Sequence, residues 1–347
     1  MTAPASHADR PHLLPYAGVS PALAGPPRAA QAGHVLIGRL TLGRSAWLAA
    51  GSVIRADGHF VRIGDGFVLG RGATVHIAHE RYPTVVDDEV TVGANAVVHA
   101  CSIAAGGVIE EDCVVLDGTE VGAAAVLAAG SIAYPRSRLQ GGWLHAGRPA
   151  RPVRPLHPGE HAQRAAALRA RVEAGPAGWP GPGDPAVAAP DAFVADTAAL
   201  AGAVHLAAAA SLWYGCRLDA RAAPIAIGER CNVQDNSVLA ATAAGITLGA
   251  DTTIGHNVAL ADCTVGARCL IGIGSQIAPG TRIPDDTFVA AGAVTTPGQI
   301  LAGGRVWGGD PARPIGDLDD AKRHIVLVTA LVYAEYARQM RTHGGPP

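Results

Sequence analysis

Aliphatic residues recur at every sixth position through two long stretches of the chain. The first runs Ile103, Ile109, Val115, Val121, Leu127, and the second Val265, Ile271, Ile277, Ile283, Val289. A glycine or alanine commonly follows, as in the pairs "VG", "IG" and "LA". This period matches neither the 3.6-residue repeat of an amphipathic helix nor the two-residue alternation of a half-buried strand. Three six-residue units instead close a triangular coil of 18 residues, and small residues permit its tight corners. The pattern predicts a mainly β chain of stacked coils, with helix confined to the segments that follow each stack.

A longer repeat lies over the short one. "GRPARPVRPL" (147–156) echoes "GDPARPIGDL" (309–318), and "VTVGANAVVHAC" (90–101) echoes "TTIGHNVALADC" (252–263). Two copies of one domain are therefore fused. Each "PARP" precedes a stretch with helical composition, "EHAQRAAALRARVEA" and "DLDDAKRHIVLVTALVYAEYARQM". The acidic start of the second suits the positive end of a helix dipole. The proline- and glycine-rich "AGPAGWPGPGDPAVAAP" between the copies reads as a linker. The expected organisation is an N-terminal extension at 1–33, a first domain with its helix at 34–174, a linker at 175–186 and a second domain with its helix at 187–347.

Composition narrows the partners more than the chemistry. The 347 residues carry a net charge of −2, which gives no general pull toward nucleic acid or anionic lipid, and the arginines of the first helix read as a solvated face. The start "MTAPASHADRPHLLPYAGVSP" lacks a basic leader followed by an apolar run, and no apolar run has the length to cross a bilayer. The expectation is a cytoplasmic protein that binds neither nucleic acid nor membrane. Six cysteines without a CxxC pair read as buried, reduced thiols.

The second copy closely resembles the gamma-class carbonic anhydrases through "SLWYGCRLDA", "IAIGERCNVQDNSVLA", "TIGHNVALADCTVGARCLIGIGSQI" and "GGDPARPI". The first copy resembles them more loosely, through "VIRADGHFVRIG", "ATVHIA" and "VTVGANAVVHAC". The resemblance implies a fold of two left-handed parallel β-helix (hexapeptide-repeat) domains, each followed by an α-helix. It also implies a trimeric arrangement of domains within a homo-oligomer, with a divalent metal held at each interface by three histidines. Two of the three come from one domain and the third from its neighbour.

Carried over residue by residue, the resemblance divides one ligand set between the copies. The second copy keeps only His256, with Ala240 and Ala261 at the other two positions. The first keeps His76 and His99, with Ala94 at the third. Val75 and Val98, which precede the first-copy histidines, lie 23 residues apart, one coil plus a five-residue insertion, so both imidazoles fall on one face. Gln234 and Asp235 in "NVQDN" match family residues beside the metal. The Val233 to Ile254 spacing of 21 stacks them near His256. At those positions the first copy has Gly70 and Arg71. The losses are complementary, so a full site needs a first copy to meet a second. His34, His59, His79 and His205 read as ordinary core or surface residues.

Three neutral imidazoles with an open position are a known arrangement for catalytic zinc, with iron and cobalt as alternatives. Such an ion lowers the pKa of bound water, and the resulting hydroxide attacks carbon dioxide or a related small-molecule carbonyl substrate. In this reading Gln234 orients the nucleophile and Glu80 carries protons outward. Arg55 and Asp57 in "IRAD" match a family pair bordering the site. The second copy reads "LDAR", so Asp219 and Arg221 exchange the charges, which suits a code favouring mixed interfaces. Two other classes remain open: a thioester hydrolase or acyltransferase of the hexapeptide class, and a metal-free assembly or scaffold protein.

Overall fold

The computed structural model describes residues 12–181 and 183–343, so residues 1–11 of the start quoted above lie outside the described residues. The chain divides into two units, Met1–Trp179 and Pro180–Pro347. Each is a left-handed parallel β-helix with one α-helix after its coils.

The six-residue period arises from a two-residue strand followed by a corner. In the first unit, the corner residues Gly106, Asp112, Gly118, Ala124, Gly130, Arg136 and Gly142 all have positive φ, every sixth position. Where the corner is Ala124 (φ 52°), the left-handed backbone costs roughly 1–2 kcal/mol. Stacking outweighs this, because each coil turns one aliphatic inward per face. Ile103, Ile109, Val115, Val121 and Leu127 are all at most 3 % exposed, as are Val265, Ile271, Ile277, Ile283 and Val289. Each such burial stabilises by about 1.5–3 kcal/mol.

Register places residues one coil apart side by side: Ile103 pairs with Val121, Ile109 with Leu127, and Val265 with Ile283. Two faces of the first unit join through the long strand Val53–Ile63, and the matching strand of the second unit is Arg217–Ile227, also 11 residues. All six cysteines are free and buried. Among the described residues, no helix is long and apolar enough to cross a membrane.

Helix α1, Glu160–Ala174, buries Leu168 and Val172 against Val68, Val108 and Val126. Its arginines are partly solvated, as expected, and also pair with the coils. Arg164 pairs with Glu110 (2.8 Å), Arg169 with Glu89 (3.0 Å) and Arg171 with Glu111 (2.7 Å), fixing the helix to the coils. Helix α2, Asp320–His343, packs on the sheet face that includes Phe193–Val194, Ser211–Leu212, Asn232–Val233 and Thr253–Ile254. Asp319 starts it by accepting from the Lys322 N–H at 2.9 Å.

The two copies hold their inserted loops differently. In the first, Glu80 sits exposed at the tip of a loop closed by a bridge between Ala78 and Tyr82. In the second, Asp262 Oδ1 accepts from the backbone N–H groups of Thr242, Ala243, Ala244 and Gly245 at 2.9–3.1 Å. The hydrogen bond from the Thr242 hydroxyl, aided by these amides, lowers the Asp262 carboxyl to about 2. Because the folded value is depressed, the stabilisation is complete above the unfolded value of about 3.9 and disappears as pH falls through about 2. Asp262→Ala should destabilise the chain at pH 7 by about 1–3 kcal/mol. In urea unfolding, the gap between wild type and variant should close toward pH 2.

Candidate functional site

The first unit stacks two histidines on neighbouring rungs. His76 ends the strand Thr74–His76, His99 ends Val97–His99, and the parallel register pairs them directly. The insertion between the rungs loops out and leaves the stack intact. His76 Nδ1 and His99 Nε2 face each other at 3.4 Å.

Carboxylates behind the rings decide where the protons lie. Asp57 Oδ1 is 2.9 Å from His76 Nε2, and Asp117 Oδ1 is 2.6 Å from His99 Nδ1. Burial works against ionising Asp57, but the Arg55 charge and the hydrogen bond from His76 outweigh it and hold the carboxyl far below its usual range. Burial likewise opposes ionisation of Asp117, and His99 overcomes it, so Asp117 is also held down. An ionised carboxylate only accepts, so His76 carries its proton on Nε2 and His99 on Nδ1. Arg55 Nη2 lies 3.2 Å from the same His76 Nε2, but the nitrogen that donates to Asp57 cannot also accept from a guanidinium. Arg55 instead pairs through Nε with Asp57 Oδ2 at 3.0 Å, and both side chains are buried.

Burial, followed by the Arg55 charge, lowers the His76 pKa to about 4, so its imidazole is neutral at pH 7. His76 Nδ1 then carries a lone pair turned toward His99 Nε2. Two imidazole nitrogens bound tetrahedrally to one zinc, each at 2.0–2.1 Å, lie roughly 3.3–3.4 Å apart. The observed 3.4 Å matches that separation, so the pair fits a metal.

In the second unit Asn232–Val233 pairs with Thr253–Ile254, which stacks Asp235 on His256. Asp235 Oδ2 lies 3.1 Å from His256 Nδ1, while its Oδ1 accepts from the Tyr214 N–H at 3.1 Å. His256 Nε2 lies 3.4 Å from the Tyr333 hydroxyl on α2. Trp213 stands edge-on to Tyr333 with ring centroids 5.3 Å apart. His256, Asp235 and Tyr333 are all buried. Gln234 donates to Asn232 Oδ1 at 3.1 Å, and Asn232 in turn donates to Thr253 Oγ1 at 2.9 Å. Asp235 is thus in contact with His256, while the Gln234 amide is held by Asn232.

Each unit has put its other face to different use. Ala240 and Ala261 occupy paired positions on neighbouring rungs of the second unit, as the two histidines do in the first. In the first unit Arg71, at the position of Asp235, donates to the carbonyls of Pro176 and Gly178 at 2.9 and 2.6 Å and lies over the Trp179 ring at 4.8 Å. That ring lies so close to the corner glycine Gly51 that a Cβ there would come within 2.2 Å of it. The charge pairs also close within their own units. Arg55 meets Asp57 in the interior, and Arg221 meets Asp219 at the surface, with its Nε 2.9 Å from Oδ1. A shallow groove of the first unit, lined by Ser102, Glu120, Arg138 and Gln140, opens on another face and contains none of these residues.

Asp117 and Tyr333 are the residues that sequence reading missed. Asp117 lies 18 residues after His99, one coil on, so the stacking rule itself points to it. Tyr333 lies 77 residues from His256, and no local pattern signals the contact.

The family model for the hexapeptide repeat of succinyl-transferase matches residues 60–100, 224–261 and 263–297. The chain is 34% identical over 130 residues to gamma carbonic anhydrase 1, mitochondrial, of Arabidopsis thaliana, covering 36% of this chain and 46% of the relative. It is 39% identical over 158 residues to gamma carbonic anhydrase 3, mitochondrial, of the same plant, covering 44% and 61%. It thus spans about half the length of the curated relatives it matches. Among solved structures, a putative acetyltransferase from Desulfovibrio desulfuricans G20 superposes over 83% of this chain and 67% of its own, with TM-score 0.51 and 13% identity, a likeness of fold.

The carboxylates behind the first-unit imidazoles set ring tautomer and orientation, and such partners typically govern metal affinity by 10–100-fold. Asp117→Asn and Asp57→Asn should each weaken the binding of an added divalent ion by roughly that factor, measured by chelator competition on the full chain.

Proposed function

This chain belongs to the gamma-carbonic-anhydrase-like hexapeptide-repeat family, and from that premise we propose that it is a metal-dependent hydratase acting on carbon dioxide or a related small carbonyl substrate. In this reading His76, His99 and His256 hold one divalent ion, with zinc the best match to the donors. The observation that carries the reading is the His76–His99 pair: facing nitrogens 3.4 Å apart, each ring anchored by an ionised carboxylate. The complementary retention of His256, backed by Asp235, in the other copy supports it.

A divalent ion on three imidazoles lowers the pKa of coordinated water toward neutrality and so supplies a nucleophile at ordinary pH. The chain's own residues do the rest. Asp57 and Asp117 keep the ring protons away from the facing nitrogens, and Arg55 keeps Asp57 ionised. Asp235 orients His256, and the buried Trp213 and Tyr333 exclude bulk water from that ring. In this reading Glu80, exposed at its loop tip, passes protons to solvent, and Gln234 needs a rotation away from Asn232 to reach a substrate. The mixed set calls for a trimeric arrangement of domains in which a first copy meets a second.

Metal analysis of the purified chain, with His76→Ala, His99→Ala and His256→Ala variants, tests the assignment. Stoichiometric metal in the wild type, lost together with carbon dioxide hydration in each variant, is the expected result. Full metal in His256→Ala would place the ion on the first unit alone. Thioester cleavage without hydration would move the chain to the acyl-group class, and a metal-free wild type would leave a scaffold.

A further inference from the structure

Helix α2 has two apolar faces, and its own unit covers one of them. Val326, Ala330, Tyr333, Ala337 and Met340 follow helical spacing and are buried. On the other side Ile325, Leu327, Val328 and Leu331 remain 45, 44, 39 and 59% exposed. Over 325–334 the helix reads "IVLVTALVYA", in which the Thr329 hydroxyl turns back to donate to the Ile325 carbonyl at 2.7 Å. A helix that is apolar on every side belongs in an interior.

The duplication supplies a control. Helix α1 occupies the same place in the first unit, yet its exposed positions are alanine, glutamine, arginine and the like, and its leucine and valine are buried. The outward aliphatics are thus particular to α2 and are not a requirement of the architecture.

Polar residues around the stripe indicate what covers it. His324 and Glu335, both exposed, are 11 residues apart, about three helical turns, and so share the face of Leu331. Reversing the helix about the midpoint between Thr329 and Ala330 exchanges His324 with Glu335 and Val328 with Leu331. Two identical antiparallel helices would therefore set aliphatic on aliphatic at the centre and base against acid at both ends. That is the self-complementarity a closed twofold contact requires. Glu335 is already oriented by Arg338 and Gln339 of its own helix at 2.6–2.8 Å, and its oxygens can accept further bonds. A carboxylate within the face disfavours an anionic lipid surface as the occupant.

We propose that the outer face of α2 docks the α2 helix of a second copy of this chain, antiparallel, with Val328 and Leu331 at the centre and His324 of each helix against Glu335 of the other. The contact lies outside the proposed metal set, so it stands or falls independently of the hydratase reading.

Sedimentation of the full chain at micromolar concentration tests it. Val328→Glu with Leu331→Glu should halve the assembly mass while circular dichroism and metal content stay unchanged. Glu335→Lys should lower the mass, and adding His324→Glu should restore it. A Val328→Cys, Leu331→Cys variant should form an inter-chain disulfide on mild oxidation, since the six native cysteines are buried; this arm decides the matter if the glutamate variant fails to fold. Unchanged mass in a folded glutamate variant, or no inter-chain disulfide, would overturn the proposal. So would wild-type binding to phosphatidylcholine–phosphatidylglycerol vesicles with no twofold species in solution.

Discussion

Everything else in this molecule depends on the left-handed backbone at every sixth residue. It breaks each strand after two residues and turns the chain through a corner, so the chain returns to the same face after 18 residues. A side chain's neighbours are therefore the residues one coil above and below. Sites in such a fold are built vertically, as columns: Asp117 beneath His99, His99 beside His76, His256 beside Asp235. Insertions loop outward and leave the columns aligned, which is why a 23-residue spacing still stacks two imidazoles.

Burial then turns stacking into chemistry. In the low-dielectric interior an imidazole resists charging and a carboxylate stays ionised only beside a cation or a donor. Arg55, Asp57 and His76 satisfy both conditions in one buried row, and the outcome is a neutral ring whose Nδ1 lone pair is aimed at His99. Because Arg55 and Asp57 neutralise each other inside one unit, and Asp219 and Arg221 do so at the surface of the other, the exchanged charges are already satisfied where they stand.

The two copies show how a duplicated β-helix diverges without changing its coils. The faces without these histidines carry other contacts or small side chains: Arg71 clamps the linker segment at Pro176, Gly178 and Trp179, and alanines stand in the second unit at the paired positions Ala240 and Ala261. The loop bearing Glu80 has a counterpart pinned by the Asp262 carboxylate. The helices diverged furthest, α1 toward ion pairs with its own coils and α2 toward an outer aliphatic stripe.

The coils, the duplication, both helices and the stacking of His76 with His99 were legible from the sequence alone. Each follows from a fixed period, and in a solenoid sequence distance translates directly into spatial distance. Asp117 was legible by the same rule, one coil beyond His99. What only the tertiary structure decided was every contact that leaves the coil period. The Tyr333 hydroxyl reaches His256 from a helix whose docking no repeat encodes, Gln234 turns to Asn232, and the arginines of α1 find carboxylates on the coils. Those contacts are set by how side chains on separate elements share limited buried space and by which acceptors lie within reach, and neither follows from spacing along the chain.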